Sequence, residues 1–230
     1  MFNKKNMWLI IGICVCFIFC AAYELSAMGK KHVILVDPAH GGQDQGVKLM
    51  NDIYEKDITL AVAQLIKKEL SKESNLEVIL TRDSDKTVSE EDRKKSIEKI
   101  KPDFFLSLHV NAGFGKNASG FELYYQGLSE DIVKGKKTAK DDKSQVKNKC
   151  LNDSLAMAKI VQENLDALFP RKGRGLRKAD LPVTDGILVP ALVVEMGFAT
   201  NSEDKGKLLN LKTQVEISKS LAKSIKTFFR

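Results

Sequence analysis

Histidine is scarce in this chain, with three residues in 230, at positions 32, 40 and 109. Cysteine is scarcer still beyond the first twenty residues. Cys14, Cys16 and Cys20 crowd into that stretch and leave Cys150 alone in the remainder. One thiol forms no internal disulfide and shares no metal-ligand spacing with another, so a disulfide scaffold and a cysteine zinc site are both excluded. No His-Glu-x-x-His run occurs, which removes the common helical route to a zinc peptidase. The longest apolar run falls short of the roughly 20 residues that a spanning helix needs. No internal repeat is visible, and the lysines are not interleaved with the aromatics that a nucleic-acid surface would use.

What is present begins with residues 1–27. Lys4 and Lys5 precede the apolar stretch Leu9 to Ala22, and small residues follow, the pattern of a secretory signal peptide. Cleavage is expected after Ala27, with Ala22 as the alternative. An uncleaved N-terminal anchor and a lipoprotein acylated at Cys20 are the competing readings, and bulky Phe19 counts against the second. The protein therefore reads as exported, to the periplasm or cell envelope, with membrane contact only through this segment if it stays uncleaved or becomes lipidated. Removing residues 1–27 takes the formal charge from +7 to +6. Much of that excess lies in a lysine-rich insertion at about 126–149, from Lys134 to Lys149. A solvated loop is the reading of this stretch, and attraction to an anionic polymer or membrane surface is the sharper alternative.

Residues 28–230 alternate strand and helix patterns. Strands are expected at His32–Asp37, Leu76–Thr81, Phe104–Val110, Phe121–Tyr125 and Leu188–Glu195, and helices at Glu55–Ser71, Glu90–Ile100, Leu151–Phe169 and Lys212–Phe229. The pattern predicts a single α/β domain: a largely parallel or mixed twisted sheet of about six strands flanked by helices. The near-continuous apolar strands suggest a sheet covered on both faces. Ligands of such sheets bind beyond the carboxyl ends of the strands. His40, His109 and Glu195 all fall there.

Catalytic zinc usually takes three protein ligands and keeps a fourth position for water. Two histidines are available, with His32 at the wrong end of its strand. Glu55, at the start of an amphipathic helix, is the best third ligand, although the helix dipole alone would favour a glutamate there. Glu195 sits in an apolar strand, where a carboxylate must be paired, protonated or chemically employed. A buried ion pair with an arginine competes with a general base whose pKa burial has raised. The glycines after His40 read as room for a bulky ligand to approach closely.

The motif Asp37-Pro38-Ala39-His40-Gly41-Gly42, with Asp44 and Gly46, resembles the opening motif of zinc-dependent N-acetylmuramoyl-L-alanine amidases. Glu55-Lys56, Leu80-Thr81-Arg82, Arg93, Ser107-Leu108-His109-Val110-Asn111-Ala112 and Val194-Glu195-Met196-Gly197-Phe198 with Asn201 follow in the same order. The likeness spans roughly His32 to Phe229. Ala39 stands where that family usually has glycine and Gln45 where it has proline, departures that bear on loop geometry rather than on ligands. The resemblance implies one Zn2+ per chain held by His40, Glu55 and His109, and Glu195 as the catalytic acid/base. It also implies a peptidoglycan or muropeptide substrate, cut between N-acetylmuramic acid and the L-alanine of the stem peptide. Asn111 and Asp44 are placed to orient substrate or loops. In some relatives an insertion near 126–149 carries an inhibitory helix that a regulatory activator protein displaces. Here a surface loop is expected, with Glu130 and Asp131 as the only acidic pseudo-ligands available early in it. A wall-binding module without turnover and another exported metallohydrolase are the alternatives.

Overall fold

The computed structural model describes residues 31–126, 141–169, 173–179, 182–184 and 188–230. Residues 1–27 and the early part of the insertion, Glu130 and Asp131 included, lie outside the described residues. Eight strands are described: β1 (His32–Pro38), β2 (Lys48–Met50), β3 (Ile53–Tyr54), β4 (Leu76–Leu80), β5 (Phe104–Asn111), β6 (Glu122–Gln126), β7 (Leu176–Ala179) and β8 (Ala191–Phe198). The described helices are α1 (Glu55–Leu70), α2 (Glu90–Ile100), α3 (Asp141–Leu168), α4 (Ser202–Leu209) and α5 (Leu211–Phe228).

Six strands form one mixed sheet in the order β4-β1-β5-β8-β6-β7, and β2 pairs with β3 in a separate ribbon. Strands β4, β1, β5 and β8 run parallel. β6 is antiparallel to β8, and β7 is parallel to β6. Register sets His109 beside Glu195, and Glu195 in turn beside Glu122.

The twofold alternation of strands divides the central residues between two faces. Ile34 and Val36, Phe104, Leu106 and Leu108, and Leu192 and Val194 share one large core with α1, α3 and α5. On the opposite face Leu35, Phe105 and Ala191 make a small cluster with Ile97 of α2. That cluster covers only the beginnings of the strands, because Arg93 and Ile97 are the only residues α2 buries. The sheet is therefore not covered evenly on both faces, as the apolar runs had suggested. Toward the strand ends the second face carries Asp37, His109, Asn111, Val193 and Glu195 along a cavity of about 540 Å³.

Two elements differ in their bounds from the sequence pattern. α3 begins at Asp141, ten residues before the expected start, so residues 141–149 of the insertion are helix rather than loop. Lysine is a good helix former without being apolar, and Lys149 pairs with Asp153 one turn on at 2.5 Å. β8 runs from Ala191 to Phe198, which puts Glu195 inside the strand. Pro190 has no N–H to extend the ladder, although its carbonyl accepts from Phe105 N at 2.9 Å. Among the described residues no helix is long and apolar enough to cross a membrane.

Candidate metal centre

The first ligand position depends on a turn that the local sequence would not adopt alone. His40 has φ +63°, in the left-handed region, which is unfavourable for a residue with a Cβ. Its neighbours' carbonyls are held from three sides. Arg82, 1% exposed, donates from Nε to Pro38 O at 2.9 Å and from Nη2 to Ala39 O at 3.0 Å. Arg93 pairs with buried Asp37 and donates to His40 O at 2.8 Å. Thr59 of α1 also donates to Ala39 O, at 3.0 Å. Ala39 fits here because its N–H and carbonyl are both engaged and only 3% of it is exposed. Gln45 supplies only its carbonyl, to Lys56 N at 3.3 Å.

The glycines after His40 do not leave room for a ligand. A Cβ on Gly41 would stand 2.3 Å from Lys86 O, and one on Gly42 would stand 2.2 Å from Thr87 Oγ1. They are small so that the segment at Lys86–Thr87 can pack against the turn.

His40 Nδ1 lies 2.8 Å from Asp44 Oδ2, which turns Nε2 toward Glu55 Oε2 at 3.1 Å. Glu55 opens α1, yet only 2% of it is exposed. Its carboxylate faces inward rather than merely complementing the helix dipole. Val47 N donates to its Oε2 at 3.0 Å and Val110 N to its Oε1 at 2.9 Å. His109 Nδ1 lies 3.3 Å from the same Oε1. Burial alone would raise the Glu55 carboxyl, but His109 and His40 outweigh it and pull it down to about 2. Burial would likewise lower His40, and Glu55 and Asp44 overcome it to raise the imidazole to about 9.

One ligand atom from each of His40, Glu55 and His109 falls within 4.8 Å of the others. Two ligands about 2.0–2.1 Å from a tetrahedral zinc stand roughly 3.3 Å apart, close to the separations of His40 from Glu55 Oε2 and of His109 from Glu55 Oε1. The nitrogen–nitrogen–oxygen donor set and the Asp44 carboxylate behind His40 also suit zinc.

Glu195 stands on the strand next to His109. One of its oxygens, Oε2, is buried without a hydrogen-bond partner among the described residues. Burial, with Glu55 and Glu122 adding to it and the histidines opposing it, raises this carboxyl to about 7. The arginine pairing that competed for Glu195 is not found among the described residues. Arg174 and Arg177 are bound instead to Glu122, at 2.7 and 3.3 Å. Glu122 escaped the sequence reading. Its signal was the one that exposed Glu195, a carboxylate within an apolar stretch.

A mixed sheet whose parallel strands bring two imidazoles to a carboxylate at a helix start, beside a buried carboxylate, is an arrangement suited to a hydrolytic metalloenzyme. Comparison with known proteins narrows the class. Residues 34–227 match the family model for N-acetylmuramoyl-L-alanine amidase. The chain is 33% identical over 177 residues to the amidase CwlM of Bacillus licheniformis, covering 76% of this chain and 60% of that one. It is 27% identical over 219 residues to AmiC of Escherichia coli, covering 86% of this chain and 52% of that one. An uncharacterised Bacillus subtilis protein, YqiI, is 27% identical over 98% of both chains. The solved catalytic domain of CwlV, an amidase from Bacillus (Paenibacillus) polymyxa var. colistinus, superposes with a TM-score of 0.71 at 26% identity, covering 86% of this chain and 97% of that one. The chain belongs to the N-acetylmuramoyl-L-alanine amidase family and is by class a cell-wall hydrolase.

Proposed function

We propose that His40, Glu55 and His109 hold one zinc ion and that Glu195 is the acid/base that cleaves the amide between N-acetylmuramic acid and the L-alanine of the stem peptide. The observation that carries this reading is the buried, unpartnered Oε2 of Glu195 on the strand beside His109. A carboxylate left without a partner in a cavity wall is costly unless a ligand or a proton completes it. Zinc, when bound, would polarise the scissile carbonyl and bring a water's pKa to about 7. Glu195 takes a proton from the attacking water, holds it on its carboxylate and returns it to the departing nitrogen. Its raised pKa suits both halves of that transfer at neutral pH. Asp44 fixes the His40 ring, and Val47 N and Val110 N fix the Glu55 carboxylate, so two of the three proposed ligands are held by the protein's own hydrogen bonds.

The basic leader pattern of residues 1–27 and a wall substrate together support export to the periplasm or cell envelope. A regulatory activator protein is a further part of the reading. CwlD of Clostridioides difficile, a neighbour in fold at 23% identity, is solved with the GerS lipoprotein. That complex belongs to CwlD, and the likeness here is one of fold.

Metal content and product analysis on purified muropeptides test the assignment. One zinc per chain is expected, with a free L-alanine amine and a free lactyl carboxylate as products. Glu195→Gln should keep the metal and lose turnover, and Glu55→Ala should lose the metal. Unchanged zinc in Glu55→Ala, or new termini within the stem peptide, would overturn it.

A further inference from the structure

Glu122 is a buried carboxylate that the proposed reaction leaves unused. It opens β6 directly opposite Glu195, and 4% of it is exposed. Its Oε1 meets Arg174 Nε and Arg177 Nη2, and its Oε2 accepts from Asn111 Nδ2 and the Tyr124 hydroxyl, both at 2.8 Å. Burial would raise this carboxyl, but Arg174, Tyr124 and Arg177 hold it below the ordinary value. An ionised carboxylate can only accept hydrogen bonds. Both neighbours must therefore turn their donors toward it.

Asn111 and Tyr124 also line the cavity that holds Glu195 and the two histidines. One N–H of Asn111 and the Tyr124 hydroxyl are committed to Glu122, which fixes the Nδ2 end of the amide on that side and leaves Oδ1 at its other end as an acceptor. An amide oxygen oriented in this way beside the acid/base complements an N–H of a bound ligand.

We infer that Asn111 is a further catalytic residue whose Oδ1 accepts the N–H of the scissile amide, and that Glu122, anchored by Arg174 and Arg177, is the positioning residue that turns it. The inference rests on the amidase reading, since it requires an N–H at the bond that breaks. In the reaction, water's hydroxyl joins the carbonyl carbon, the C–N bond breaks, and water's proton passes through Glu195 to the nitrogen. Asn111 holds the existing N–H so that the nitrogen lone pair faces Glu195 when that proton arrives. Replacing Glu122 by glutamine puts a donor where only acceptors stood and allows the Asn111 amide to turn over.

Two substrates separate this role from a structural one: a muramyl peptide, and its ester analogue with L-lactate in place of L-alanine, which has no N–H at the same carbonyl. The zinc-loaded full chain is assayed beside Asn111→Ala and Glu122→Gln, with thermal unfolding of each followed in parallel. For both variants kcat/KM on the amide should fall roughly tenfold or more, and on the ester by less than about threefold. Asn111 is only half-buried, so Asn111→Ala carries the test alone if Glu122→Gln unfolds. Equal losses on the two substrates would overturn the inference and leave the pair a structural tie between β5 and β6. Failure of the unaltered zinc-loaded chain to hydrolyse the amide would instead overturn the amidase reading, and this inference with it.

Discussion

A methyl group on Gly46 would stand 2.6 Å from Glu55 Oε2 and 2.6 Å from His40 Cδ2. Gly46 also has φ +65°, so the residue is small for two reasons at once. Gly46→Ala should destabilise the chain by about 1–2 kcal/mol through the backbone and weaken zinc binding roughly tenfold or more by displacing two ligands. Zinc retained after dialysis, read beside the melting of chelated protein, separates the two effects. Full zinc retention with normal turnover would show that the ligands do not meet where His40 and Glu55 do. At this scale the sequence was informative where chemistry and local pattern coincide. His40, His109 and Glu195 stand in or just beyond apolar strands, and Glu55 opens an amphipathic helix. It was silent where a role comes from distant pairing. Nothing local to Gly41 or Gly42 announces the Lys86–Thr87 segment they pack against, and nothing local to Glu122 announces Arg174, 52 residues away.

Helix α2 shows how an element with little apolar surface is docked. Ser89 caps it by accepting from Asp92 N at 3.1 Å, and Lys101 closes it with φ +52°. Only Ile97 and Arg93 are buried along it, so Arg93 does much of the anchoring, through Asp37, Pro38 O and His40 O. Arg93→Met leaves the Asp37 carboxylate, 1% exposed, with the Thr81 and Ser107 hydroxyls but without its ion-pair partner. It should reduce stability to urea by about 3–5 kcal/mol, and adding Asp37→Asn should restore part of that. A loss under about 1 kcal/mol, as for an exposed pair, would show that α2 does not depend on this contact. Elements with strong periodicity, such as α1 and α5, lie within a residue or two of where the pattern put them, and the charged α2 lies where it was expected. The ones missed have weak local signals. The β2–β3 ribbon is two or three residues deep, and β7 is an edge strand of sequence Leu-Arg-Lys-Ala. α4 is eight residues with Gly206 inside it, although Asn201, its capping residue, was a usable sign.

For the whole molecule, the proposed metal site sets metal and proton in competition for the same atoms. In chelated protein His40 is raised from 6.5 to about 9 by its carboxylate neighbours. The stabilisation from that pairing is full below pH 6.5 and is lost as pH rises through about 9. Zinc requires the neutral imidazole, so its own stabilising increment grows over the same range. Thermal unfolding with and without chelator, at pH 7 and pH 9, should show the chelated protein weakening and the zinc-loaded protein's margin widening. A constant margin would mean that His40 does not exchange its proton for the metal.

The large core lies between the sheet and α1, α3 and α5, and the cavity with its carboxylates and imidazoles lies on the other face. Folding and chemistry thus use opposite sides of one sheet. A wall polymer is a continuous net with few loose ends to thread into a tunnel, and an enzyme that cuts it must settle on a strand from the side. A cavity on the face away from the large core stands apart from the contacts that hold the sheet to its helices.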